Sequence, residues 1–418
     1  MTTLNPAATL VEPIDGVPLK TRLRRAERKR KLQAIGLVLP LFLFIVVTFI
    51  LPMAVLMFRS VDNPEIVSTL PNTAAALEDW NGEGIPDEPV FAALAADFKE
   101  SQKNRTTGLV GKRINYELAG TRSKIIATAR KIEKIENGPY KEAFIEASDI
   151  WGEHETWVVL KRAGNPYTTF YFTAALDLMW NADNELVQAP PQQSLFRTVF
   201  VRTFGISLTV TLATLLLGFP VAYLLATLPT KTSNLLMIMV LLPFWTSLLV
   251  RTTAWVALLQ TEGVINGLLV WTGILSEPVQ LIFNRFGTIV AMTHIQLPFT
   301  ILPIYSVMKT IPPSHVRAAR SLGAGPFYAF WRVYFPQTVP GIGAGCLLTF
   351  ILSLGYYITP ALVGGPTDQM VSYFVAFYTN QELNWGMASA LGIILLVLTT
   401  MLYLLYNRLV GIDKMKLG

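Results

Sequence analysis

Residues 309–340 read KTIPPSHVRAARSLGAGPFYAFWRVYFPQTVP and lie between two long apolar runs, residues 287–308 and 341–363. A connection of 32 residues is longer than two adjacent helices need, so this segment is expected to have a structure of its own. It contains four basic residues and no acidic residue. The fold is therefore decided by a polar, basic segment set between two apolar ones.

The pattern inside this segment predicts a helix–turn–helix. Ser314 follows two prolines and is suited to cap a helix through VRAARSL, and the run Gly323-Ala324-Gly325-Pro326 ends that helix. A second helix is expected to begin near Phe327. We expect four aromatic side chains of the second helix to face lipid or protein: Phe327, Phe330, Trp331 and Tyr334.

Working outward, the apolar runs predict an all-α membrane protein. The chain is 52% hydrophobic and only 15% charged, against roughly 25% charged residues in soluble domains. About 20 apolar residues cross the roughly 30 Å of hydrocarbon in a bilayer. Six runs are long enough to cross: residues 35–58, 203–228, 235–260, 287–308, 341–363 and 387–409.

The basic residues predict how these spans are oriented. Residues 20–31 hold eight Lys or Arg and one acidic residue, and residues 229–234 and 309–340 hold basic residues without acids. The segments 261–286 and 364–386 have an acidic excess. Because basic flanks stay in the cytoplasm, both termini are predicted to be cytoplasmic. The basic residues before the first span are thus a membrane flank rather than a nucleic-acid site. That span is also too long for a cleaved signal peptide.

Residues 59–196, between the first two spans, predict a mostly helical domain outside the membrane. They hold 14 basic and 20 acidic residues, a net charge of −6. We expect a loop over 61–90, helices over 90–104, 121–136 and 139–151, and a short strand over 157–160. His154 is interpreted as a surface histidine, and no metal-ligand cluster is present in the sequence of this insert. The insert is either a docking surface for a substrate-delivering partner or a stabilising addition.

A few polar side chains within the spans are candidates for a translocation path. Arg251 lies inside the third apolar run, where a charge costs a few kcal/mol or more unless it faces protein or water. It either lines a path, braces the packing of helices, or reaches outward to the membrane surface. The weaker candidates are Trp255, Gln260, His294, Gln296, Tyr356 and Tyr357. Trp271 fits an interfacial position.

The segment 309–340 also carries a recognisable motif. Arg317-Ala318-Ala319 is followed after three residues by Gly323, after nine more by Val333, and then by Phe335-Pro336. This spacing resembles the cytoplasmic motif of ABC-importer permeases, which reads EAA, three residues, Gly, nine residues, Ile, one residue, Leu-Pro. Arg317 stands where that family usually has glutamate. The resemblance implies that these residues, together with the helix around them, dock into a cleft on an ATP-binding subunit.

The resemblance extends over roughly 195–412. Within this range, the runs LLPFWTSLLVRTTAW and SLGYYITPALVGG are similar to the spermidine/putrescine type of permease. It implies a bacterial inner-membrane protein. The apolar runs and charges divide the chain into a cytoplasmic segment 1–34, a first span 35–58, the insert 59–196, which is longer than that family's usual first external loop, and a permease core 197–412. The resemblance also implies three kinds of protein partner, namely a pair of ATP-binding subunits, a second permease and a periplasmic substrate-binding protein. ATP would be bound by the partners and no cofactor by this chain.

Other classes of function fit the sequence less well. The chain has no GxxxxGK[ST] phosphate loop and no HExxH or GxSxG motif, so it is not expected to be an enzyme. An ion-coupled secondary transporter is the main alternative, but no Asp or Glu lies in any of the six runs. A membrane-anchored sensor would not need six spans and a docking loop.

Overall fold

A computed structural model describes residues 19–410, which form two compact units, one ending at Phe58 and the other beginning at Arg59. Parts of the predicted segment 1–34 and of the basic tail, including Lys414 and Lys416, lie outside the described residues. Six helices in the described chain are long and apolar enough to cross a membrane.

The first unit is one long helix. It comprises α1 (Leu19–Ile45), a π-helical turn (Val46–Ile50) and α2 (Leu51–Phe58). The π-helical turn directly precedes Pro52, which has no N–H to donate to the turn behind it. The large apolar side chains of this unit are exposed, Leu37 by 83%, as expected of a surface that contacts lipid.

The insert consists of eight short helices and a two-stranded antiparallel hairpin. The helices are α3 (Pro64–Thr69), α4 (Pro71–Glu78), α5 (Glu88–Lys103), α6 (Thr107–Asn115), α7 (Thr121–Ile132), α8 (Tyr140–Ala147), α9 (His154–Ala163) and α10 (Phe170–Ala175). The strands β1 (Leu178–Trp180) and β2 (Leu186–Gln188) pair Met179 with Val187. The helices predicted over 90–104, 121–136 and 139–151 are thus confirmed, with a 3₁₀ turn at Asp149–Gly152 after α8.

An aromatic core holds the insert together. Trp157 packs on Phe91 with ring centroids 4.6 Å apart, and Trp151 packs on Phe144 at 5.2 Å. All four side chains are buried. Such aromatic pairs contribute about 0.5–1.5 kcal/mol beyond the area they bury, so this small domain has a core of its own.

Two sequence predictions for the insert are wrong. Residues 157–160 are helical, within α9, and not a strand. All four side chains are buried, so the run shows no alternation that separates a helix from a strand. The expected loop over 61–90 contains α3 and α4, each of which begins at a proline. Proline at the first helical position starts a helix because its missing N–H has no intrahelical partner there.

The permease core follows the insert. Its helices are α11 (Phe196–Thr227), α12 (Thr230–Leu241), α13 (Leu248–Leu259), α14 (Val264–Trp271), α15 (Arg285–Thr310), α16 (Pro313–Ser321), α17 (Pro326–Ala329), α18 (Phe335–Gly355), α19 (Ile358–Val363), α20 (Val371–Asn380) and α21 (Trp385–Val410). Helices α11, α15 and α18 pack against one another at its centre. The spans predicted at 203–228, 287–308 and 387–409 correspond to α11, α15 and α21.

The predicted third span, 235–260, is not one continuous helix. Helix α12 gives way to a 3₁₀ turn at Leu242–Trp245, and α13 then begins after Ser247. Pro243 stands at this break, where it removes a backbone donor. The Ser247 hydroxyl accepts a hydrogen bond from the Val250 N–H at 3.2 Å and caps the new helix. The apolar stretch long enough to cross the membrane is instead Leu248–Trp271, which comprises α13, a turn over 260–263 and α14.

The second helix of the predicted helix–turn–helix is not a separate element. Helix α17 continues through a π-helical turn (Phe330–Tyr334) into α18, so one helix runs over Pro326–Gly355. The predicted fifth span, 341–363, is interrupted at Tyr356 and Tyr357 before α19. The polar segment therefore passes directly into the membrane-spanning helix.

Candidate coupling surface and translocation path

The predicted coupling residues lie on and after α16. The helix ends in a Schellman motif at Gly323, whose φ is +90°. The Ala324 N–H donates to the Ala319 carbonyl at 3.1 Å, and the Gly323 N–H donates to the Arg320 carbonyl at 3.0 Å. A residue with a side chain is strained at this φ, so glycine is required here for the turn rather than for space.

One side of α16 packs on the core and the other is free. Val316 contacts an apolar cluster that includes Ile304 and Met308 of α15. Arg317 and Ala318 are exposed, Ala319 is half-buried, and Leu322 after the helix is 89% exposed. The helix is therefore anchored to α15 while presenting a surface of small and basic side chains.

The remaining motif residues join α16 to α18. Val333 is half-buried in the π-helical turn, and Pro336 is exposed in the first turn of α18. The Val333 carbonyl accepts a hydrogen bond from Gln337 Nε2 at 2.5 Å, and Gln337 Oε1 lies 3.0 Å from His315 Nδ1. This bridge ties α16 to the start of α18.

The four aromatic residues of the second helix divide into two pairs. Phe330 and Tyr334 pack on Tyr223 of α11, with ring centroids 5.6 and 5.5 Å apart. Phe327 and Trp331 are exposed, Phe327 by 77%. The first pair therefore faces protein, and the second pair is free for lipid or a partner.

Arg251, the main path candidate, is half-buried on α13. Its Nε and Nη1 atoms are buried and have no hydrogen-bond partner. It forms no ion pair in the described part of the chain, and its charge acts on His294 and Tyr356. Arg251 of α13, His294 of α15 and Tyr356 after α18 are therefore near enough to interact electrostatically, and they form one polar cluster.

Two further polar pairs join helices in this part of the core. Trp255 Nε1 donates to His294 Nδ1 at 3.1 Å, and Ser353 Oγ donates to Gln296 Oε1 at 2.7 Å. Gln296 is fully buried, and its Nε2 has no partner. Pro298 cannot donate to the His294 carbonyl one turn earlier, which leaves a further acceptor at this level. Arg251 and Gln296 thus each carry a buried donor without a partner among the described residues.

Gln260 and Tyr357 are not joined to this cluster by any hydrogen bond or ring contact among the described residues. Gln260 is exposed between α13 and α14, where its backbone carbonyl accepts from Asn266. Tyr357 is 42% exposed. Ser353 was missed by the sequence reasoning, because a lone serine in an apolar run gives no signal until its partner is known.

The insert is attached to the core at the start of α21. Lys112 Nζ donates to the Glu382 carbonyl at 2.8 Å. Tyr171 of α10 lies so close to Gly386 that a Cβ there would be 2.4 Å from the ring. Burial raises the pKa of Tyr171 to about 12, so the phenol stays neutral at physiological pH. These contacts fix the insert to the sixth span whatever else it binds.

Comparison with known proteins decides the family. Residues 189–411 match the family described as "Binding-protein-dependent transport system inner membrane component". The chain belongs to this family of importer permeases. The match confirms the predicted fold class, a transport permease rather than an enzyme, in a multi-pass inner-membrane protein.

Several similar proteins have assigned functions. The chain is 33% identical over 214 residues to the spermidine/putrescine transport system permease protein PotB of Escherichia coli, covering 51% of this chain and 78% of that protein. PotB of Haemophilus influenzae is 35% identical over 214 residues, covering 51% and 75%. The inner membrane ABC transporter permease protein YdcU of Escherichia coli is 31% identical over 277 residues, covering 59% and 86%.

Among solved structures, a bacterial alginate ABC transporter in complex with an alginate pentasaccharide-bound periplasmic protein aligns with a TM-score of 0.44 and 20% identity. The alignment covers 51% of this chain and 78% of that one.

Proposed function

We propose that this importer permease is driven by ATP, through docking of α16 on a pair of ATP-binding subunits. A second permease would complete the path, and a periplasmic binding protein would deliver the solute. The exposed face of α16 supports this proposal most. Arg317 and Ala318 of the motif lie on that face, and the helix ends in the Gly323 turn. ATP would be bound by the partner subunits, and this chain would bind no cofactor.

The contacts of α16 suggest how a movement would reach the path. Val316 packs on α15, and His315 interacts with Gln337 of α18. A displacement of α16 therefore acts on both helices. α15 carries His294 and Gln296, and α18 carries Ser353, so the same two helices line the polar cluster. The lack of Asp and Glu in the six predicted spans argues against proton or sodium coupling.

We further propose a polyamine, or a related amine or opine-like compound, as the solute. PotB at 33% identity supports the polyamine class. Trp255 and Tyr356 offer aromatic faces to an ammonium group. Arg251 repels a cation but suits the carboxylate of an opine-like solute. A polyamine would thus need carboxylates from the second permease.

The coupling proposal is tested by comparing Gly323→Ala with Gly325→Ala. Gly323 has φ +90°, where alanine costs about 1 kcal/mol or more, whereas Gly325 has φ −63° and open space around its Cα. Gly323→Ala should reduce solute-stimulated ATPase activity and uptake several-fold in the assembled complex, and Gly325→Ala should leave both unchanged. Competition of uptake by unlabelled spermidine, putrescine and an opine identifies the solute class. Wild-type activity in Gly323→Ala would contradict the coupling role.

A further inference from the structure

A cavity of about 600 Å³ lies behind the coupling surface, between α16 and the adjacent ends of α11 and α15. Its polar walls are Lys309, Arg317 and Arg320, and its apolar walls include Tyr223, Met308 and Phe330. The cavity shares no lining residue with the polar cluster around Arg251.

The charged side chains that line this cavity are all basic. Its lining contains three basic side chains and no carboxylate, and segment 309–340 contains no acidic residue at all. None of the three basic residues forms an ion pair within residues 19–410. Arg317 and Arg320 are three positions apart on one helix, a spacing at which like charges repel. The arrangement therefore favours an anion.

The position of the cavity indicates what kind of anion fits. Helix α11 ends at Thr227 and α15 ends at Thr310, so the cavity lies where two membrane-spanning helices leave the hydrocarbon. This is the depth of lipid headgroups. Basic pockets between spanning helices at this level suit anionic headgroups, and the apolar walls suit the start of an acyl chain.

We propose that this cavity binds the phosphate headgroup of an anionic phospholipid. Lys309, Arg317 and Arg320 hold the phosphate, while Met308 and the ring of Phe330 contact the glycerol and acyl portion. Because two of the three basic residues are on α16, the bound lipid also neutralises the repulsion along that helix and holds it against α15. The proposal does not depend on the identity of the solute. Arg317 also belongs to the surface proposed to dock on the ATP-binding subunits, so the lipid site is tested at Lys309 and Arg320.

The test is retention of phosphatidylglycerol against phosphatidylcholine by the full-length chain, measured by native mass spectrometry from mixed micelles. Arg320→Gln should lower the phosphatidylglycerol preference by about fivefold, and Lys309→Gln/Arg320→Gln by more. Arg332→Gln is the matched control, because Arg332 is an exposed arginine of the same segment that does not line the cavity. An equal effect of Arg320→Gln and Arg332→Gln would show general charge attraction and overturn the site.

A second variant keeps the charges and fills the space. Ala226 lines the cavity and is half-buried, so Ala226→Phe should also lower phosphatidylglycerol retention at unchanged thermal stability. Unchanged retention in Ala226→Phe would overturn the proposal. Excess inorganic phosphate should leave the lipid in place. If it displaces the lipid, the site takes a soluble anion and the lipid assignment fails.

Discussion

At the scale of the residue, the buried Arg113 and the half-buried Arg251 differ in their partners. Arg113 in the insert is 1% exposed; its Nη1 pairs with Glu117 at 2.9 Å and its Nε donates to Asn63 at 2.7 Å. Arg251 in the permease core has two buried guanidinium nitrogens without partners. A buried charge that is paired serves the fold, whereas an unpaired charge at membrane depth lowers stability and needs another explanation.

We therefore predict opposite outcomes when each charge is removed. Arg251→Gln should leave the melting temperature in detergent unchanged or higher and lower solute uptake by about 10- to 100-fold, the effect of losing one charge-assisted contact. Arg113→Leu should lower the free energy of unfolding by about 1–3 kcal/mol, because Asn63 and Glu117 each lose a buried partner while Glu117 keeps its ion pair with Arg162. Thermal melts and radiolabelled uptake measure the two effects.

Thr253→Ala is the matched control for Arg251→Gln. Thr253 is exposed two residues away on α13, and its hydroxyl bonds only to carbonyls of its own helix. It should change neither uptake nor melting. A less stable Arg251→Gln protein with normal uptake would identify Arg251 as a brace between helices.

At the scale of the element, the centre of the permease depends on close approach of α11, α15 and α18. Thr300 of α15 donates to Thr214 of α11 at 2.9 Å and shares a 2.6 Å hydrogen bond with Thr349 of α18. A Cβ at Gly345 would lie 2.8 Å from the Thr300 carbonyl oxygen. Small residues let backbones approach, and buried hydroxyls then join the helices where no hydrophobic effect drives them together.

Gly345→Ala should consequently separate α18 from α15. The obstacle is the backbone of Thr300, which cannot move aside easily. We therefore expect the free energy of unfolding to fall by about 1–3 kcal/mol and the melting temperature in detergent to fall with it. Gly205→Ala in α11 is the control, since nothing lies within 4 Å of its Cβ position and alanine favours a helix. Equal melting temperatures for the two variants would show that the close approach contributes little.

At the scale of the whole molecule, the chain combines a charged helical domain with an apolar helical core. The insert carries a net charge of −6 in residues 59–196 and has its own aromatic core. Lys112 and Tyr171 attach it to the start of α21. A domain of this charge does not enter lipid, so its side of the membrane depends on the basic flanks of the spans.

Thiol labelling checks the predicted orientation. In a Cys346→Ala background, Lys103→Cys on the exposed end of α5 should react with a membrane-impermeant reagent in intact spheroplasts. Lys231→Cys, exposed in the first turn of α12 and within the predicted cytoplasmic connection 229–234, should react only after lysis. The reverse pattern would invert the topology. Ser101 is unsuitable as a labelling site, because it is 2% exposed.

The sequence by itself determined the helical insert, the Gly323 turn and the presence of six spans, although the bounds of the third and fifth spans differ in the structure. A bilayer admits only segments that satisfy their own backbone hydrogen bonds, so length and apolar content are sufficient to identify them. The tertiary structure decided what depends on distant partners: the helix at 157–160, the pairing of Gln296 with Ser353 and the unpaired state of Arg251. Burial and hydrogen bonding at these positions are set by residues tens of positions away, and no local pattern encodes which helices meet.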